Sequence, residues 1–63
     1  MTLEKLLFQV KIDSDTGIYF EGKFRGTVST LMSSDVFYNA YALLDVDTIT
    51  TDDSADKLKI TLI

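Results

Sequence analysis

Between Gly26 and Asp56 the chain carries six aspartates (Asp35, Asp45, Asp47, Asp52, Asp53 and Asp56) and neither lysine nor arginine. The centre of that stretch is the run Val36-Phe37-Tyr38-Asn39-Ala40-Tyr41. Acid beside aromatic side chains is the chemistry of a binder for something basic, carboxylates supplying attraction and rings supplying contact area. Residues 1 to 25 balance four acids against four bases, and residues 57 to 63 add only Lys57 and Lys59, so the net charge of −4 originates in this one segment.

Other chemistries find little footing. Histidine and cysteine are both absent, which removes the usual zinc sites, disulfides and the commonest nucleophile–base pairs. A hydrolase or transferase would rest on Asp, Glu, Lys, Tyr and Ser, and no such set converges; no catalytic residue is assigned, and an enzyme is not expected. Asp13-Ser14-Asp15-Thr16-Gly17 begins like a calcium loop, but glycine falls fifth instead of sixth, and Phe24 stands twelfth, where a bidentate glutamate is needed. The segment reads as a hairpin turn. Asp45, Asp47, Asp52 and Asp53 offer oxygens to magnesium, yet a run of this kind is far more often a solvated loop. No metal and no cofactor is expected. Glu21, between Tyr19 and Lys23, reads from its pattern alone as half of an exposed cross-strand ion pair.

The elements that must position these residues follow from periodicity. Leu6, Phe8, Val10 and Ile12 alternate with Gln9 and Lys11, predicting a first strand over 6–12 and a turn over 13–17. The return strand, Ile18 to Val28, sets Ile18, Phe20, Phe24 and Val28 on one face together with Gly22 and Gly26. Glycines four apart leave room for a bulge or for a closely packed helix. Ser33-Ser34-Asp35 supplies a cap and a first-turn acid for a helix reaching about Leu44. Val36, Ala40, Leu43 and Leu44 are expected to face the sheet, with Phe37 and Tyr41 as a neighbouring stripe in surplus of the core. Residues 46–51 are either a short edge strand or a loop, and Leu58, Ile60 and Leu62 alternate with Lys57, Lys59 and Thr61 in a final strand. The expected fold is α+β: a small antiparallel β-sheet with one helix packed on it, order β-β-α-β, with a possible extra short strand at 46–51.

Sixty-three residues make one domain, 1–63, and a chain of this size buries only about 60% of the surface exposed when unfolded. Homodimerisation is the support left to it. No apolar stretch approaches the roughly 20 residues of a membrane span, and the acidic balance argues against anionic lipid and nucleic acid as direct partners. The N-terminus lacks the basic start and apolar run of a signal peptide, so a cytoplasmic location is expected.

Two motifs add a resemblance. Tyr19-Phe20-Glu21 after a turn, and Ser34-Asp35 followed by Phe37 and Tyr41, are similar to motifs of the small dimeric bacteriophage inhibitors of uracil-DNA glycosylase, and Ala55-Asp56-Lys57-Leu58-Lys59-Ile60 looks like that family's last strand. Val36 stands as an extra residue between Asp35 and Phe37, and the connection from Asp45 to Asp56 is longer than the family's. The resemblance implies the same β-β-α-β order and an acidic homodimer that mimics DNA in the glycosylase's basic cleft inside the bacterial host cell. Phe37 and Tyr41 would then line a cavity for the side chain that the enzyme wedges into the duplex. Glu21 would stand in for a phosphate, Asp35 and Tyr38 would join the partner-binding surface, and Asp45 and Asp47 would act by electrostatic steering. The alternative is a small phage or accessory interaction protein that inhibits a different nucleic-acid enzyme or a bacterial defence complex.

Overall fold

Leu3, Leu6, Leu7 and Val10 recur at i, i+3, i+4 and i+7, and this helical period governs the N-terminus. In the computed structural model, which describes residues 1–52 and 57–63, helix α1 spans Leu3–Gln9. Thr2 caps it, its hydroxyl oxygen accepting the Lys5 N–H at 3.3 Å, and Glu4 lies in the first turn. The strand expected over 6–12 is thus a helix as far as Gln9. Both periods are present in the residues, but the helix buries Leu3 and Leu6 together and leaves Phe8 and Val10 of the alternating set exposed.

The segment 13–17 leads from this helix into strand β1 (Gly17–Phe20), and the hairpin turn lies further on. Phe20 pairs with Lys23 at the start of β2 (Lys23–Thr27), so the connection is the two residues Glu21-Gly22. Their φ values of 55° and 76° are those of the mirror-image turn that suits the twist of a hairpin. The long return strand expected over 18–28 is therefore two strands. Ile18 faces Gly26 while Tyr19 faces Phe24, which leaves Arg25 as the extra residue of a bulge beside Gly26.

Thr27 ends β2 and caps α2 (Val28–Ser33) by accepting the Thr30 N–H at 3.3 Å. Ser34 closes α2 and caps α3 (Asp35–Tyr41), its Oγ accepting the Phe37 N–H at 3.3 Å. β3 (Val46–Asp52) is a full strand and pairs antiparallel with β4 (Lys57–Leu62). β4 also pairs with β1, in parallel. The sheet, in order β2-β1-β4-β3, is consequently mixed where an antiparallel one was expected. A parallel pair requires a long crossover, and β2, α2, α3 and β3 supply it between β1 and β4. The α+β class holds, with the order α-β-β-α-α-β-β among the described residues. Leu3 and Leu6 of α1, with Val28 and Leu31 of α2, bury against Ile18, Ile60 and Leu62 on one face of the sheet.

Candidate functional site

Helix α3 turns inward the face that its sequence marks as surplus. Phe37, Tyr38 and Tyr41 pack against the core together with Leu44, whereas Val36 and Leu43 are 82% and 71% exposed and Ala40 is exposed too. Of the four residues expected to face the sheet, only Leu44 does so. The cause lies in β2. A Cβ at Gly26 would stand 2.7 Å from Cε2 of Phe37, so the missing side chain makes a slot that the Phe37 ring fills. The cap at Ser34 fixes where the helix begins, and the slot fixes which way it is rotated.

The same rings bring the two sequence motifs together. Phe37 and Tyr41 lie 4.8 Å apart between ring centroids, and Tyr41 meets Phe20 edge-on at 5.9 Å. Phe20 is the last residue of β1, so Glu21 emerges at the end of an aromatic chain that starts on α3. Glu21 is exposed and holds positive φ without being glycine, a conformation costing about 1 to 3 kcal/mol. Arg25 supports the same turn, donating from Nε to the Phe20 carbonyl at 3.2 Å with its guanidinium 5.8 Å from the Phe20 ring centroid. The partner-binding candidates Glu21, Phe37 and Tyr41 are thus contiguous through Phe20.

Tyr38 does a different job. Its hydroxyl donates to Glu4 Oε2 at 3.0 Å, tying α3 to α1. Partial desolvation, and then the hydrogen bond and negative charge of Glu4, push the phenol above its ordinary value of 10.0. Asp35 is exposed in the first turn of α3. Asp45 is exposed ahead of β3 with Oδ1 3.9 Å from the N-terminal amino group, and Asp47 is the exposed extra residue where the β3–β4 register shifts between Val46 and Thr48. Both acids therefore stand at the start of β3 beside the chain's N-terminus. Asp53, Asp56 and the side chain of Asp52 lie outside the described residues.

Sequence periodicity missed a groove of about 460 Å³ between α1 and α2, lined by Leu7, Lys11, Ile12, Val28 and Met32. The helical spacing of Leu3, Leu6 and Leu7 was the available signal. Among the described residues no three acidic side chains gather as metal ligands, and no helix is long and apolar enough to cross a membrane. Compared with known protein families, with curated proteins and with solved structures, the chain matches none.

Proposed function

We propose that this protein is a non-catalytic inhibitor of uracil-DNA glycosylase, an acidic homodimeric mimic of DNA acting in the cytoplasm of a bacterial host. The observation that carries the reading is the ring chain Phe37–Tyr41–Phe20, which joins the Glu21 turn and the α3 motif in one surface. An enzyme that flips a base grips phosphates with basic groups and pushes an apolar side chain into the stack. Glu21, held out at a strained turn, takes the place of a phosphate. The exposed edges of the half-buried Phe37 and Tyr41 rings receive the wedge, with Tyr38 and Asp35 alongside. Asp45 and Asp47, in a stretch without a single base from Gly26 to Asp56, raise the rate of encounter and make it sensitive to salt.

The test mixes purified protein with a uracil-DNA glycosylase and a uracil-containing oligonucleotide. Excision should stop at stoichiometric protein and recover as salt is raised. Undiminished excision at several-fold excess would sink the reading.

One observation favours the second reading, inhibition of a different nucleic-acid enzyme or of a bacterial defence complex. The N-terminal helix and the parallel β1–β4 pair depart from the β-β-α-β order that the resemblance implies. That reading keeps the same acidic and aromatic surface and changes its target. It predicts normal uracil excision together with salt-sensitive binding to another basic DNA-processing protein.

A further inference from the structure

The two edges of the sheet are built differently. β2 is blunted by the bulge at Arg25 and by the charges of Lys23 and Arg25. β3 has its bulge and charge only towards its ends, at Asp47 and Asp52; between them Thr48 to Thr51 contains no charged residue, proline or glycine, and the pairing with β4 is regular from Thr48 to Asp52. Only its start is covered, where the Val46 N–H reaches the Met1 carbonyl at 2.8 Å and Thr2 bridges Asp45. Among the described residues no strand lies along the rest of that edge.

The apolar face of the sheet also continues toward this edge. Ile49 faces Ile60 and Leu58 faces Thr51, which puts Ile49 and Leu58 on the side that holds the buried Ile60 and Leu62. Yet Ile49 and Leu58 are 47% and 41% exposed.

We infer that the free edge Thr48–Asp52 pairs antiparallel with the same edge of a second copy, about a two-fold axis at Thr50, joining two four-stranded sheets into one. An antiparallel edge is complementary to itself, which is what a two-fold interface requires, and five residues supply about four to six backbone hydrogen bonds. In this register Thr50 meets the partner's Thr50, Ile49 meets the partner's Thr51, and Thr48 meets the partner's Asp52. No aspartate opposes an aspartate, Asp47 falls beyond the paired segment, and Lys57 and Lys59 of β4 stand opposite Asp52 and Thr50 one strand inward. A register two residues away would bring in the shifted pairing at Asp47 and the N-terminal residues. The inference deepens the homodimer part of the proposed function, placing the axis on β3 and away from the α3 ring edges that the proposed function gives to the glycosylase.

Sedimentation equilibrium with the full chain tests it. The wild type should show twice the monomer mass and associate more tightly as salt screens the acidic chains. Thr50→Glu should be monomeric, because two carboxylates would face each other across the axis, while the fold is kept by the new Glu–Lys59 pairing within one chain. Amide exchange should show β3 protected in the wild type and open along one edge in T50E, with β4 protected in both. A monomeric wild type at high micromolar concentration, a dimeric T50E, or protection appearing on association at Phe8 and Met32 instead of β3 would each overturn the inference. Glycosylase inhibition is read separately: inhibition by a monomeric wild type would remove the dimer and leave the target, and a β3 dimer without inhibition would do the reverse.

Discussion

The Phe37 ring occupies the space that a side chain at Gly26 would need, with Cε2 2.7 Å from where that Cβ would stand. This contact orients α3, and with it every candidate residue the helix carries. Gly26→Ala should therefore cost about 1 to 3 kcal/mol by overpacking, with backbone strain at its φ of 157° added, and Phe37→Ala about 2 to 3 kcal/mol, less than for a fully buried ring. In denaturant titrations the double variant should lose less than the sum, since removing the ring makes room for the methyl. Strict additivity would mean that the two do not meet.

Desolvation of the Tyr38 phenol, together with its bond to Glu4, gives stability a dependence on alkaline pH. The folded phenol titrates above its ordinary 10.0, so the folded state holds this proton more tightly than the unfolded state does. Its contribution is complete below pH 10.0 and is lost as pH rises through the raised folded value. Thermal melts of the wild type should fall more steeply than those of Tyr38→Phe between about pH 9 and about pH 12. In a spectrophotometric titration, a tyrosine ionising above the ordinary value should be missing from the variant.

At Glu21 the strained turn and the proposed binding role make opposite demands. Asparagine tolerates positive φ, so Glu21→Asn should stabilise the hairpin by about 1 kcal/mol, raising Tm by roughly 4 to 8 °C. The same substitution removes the carboxylate proposed to stand in for a phosphate, and on that proposal glycosylase inhibition should weaken at least tenfold. A variant that is more stable and inhibits equally well would leave Glu21 without a binding role.

Thr16 is buried, and its hydroxyl has no hydrogen-bond partner among the described residues. Its backbone is fully used, the N–H donating to the Asp13 carbonyl and its own carbonyl accepting from Val28. Thr16→Val keeps the branched shape and deletes the orphaned hydroxyl, so unfolding free energy should rise by about 1 kcal/mol. A loss of similar size would show that the hydroxyl has a partner in solution.

Much of the site was legible locally. The base-free acidic stretch is composition, the Ser34 cap and the Asp35 first turn are nearest-neighbour chemistry, and the alternation of Leu58, Ile60 and Leu62 admits only a strand. The glycine at 26 even announced that something would pack closely there. What packs there could not be read, because the slot and the ring that fills it come from separate elements.

The sequence by itself determined the α+β class, the sign and place of the charge, the start of α3 and the strand at the C-terminus, since each depends on residues a few positions apart. Tertiary structure alone decided three things. It resolved 3–9 as helix where two periods competed, because only the helix buries Leu3 and Leu6 against Ile18 and Ile60. It rotated α3 so that Phe37 and Tyr41 face inward and Val36 and Leu43 outward, because the Gly26 slot admits the ring. It set β4 parallel to β1 and left β3 as an edge strand among the described residues, because the crossover returns the chain between the two hairpins, a choice made by packing at a distance that no local pattern encodes.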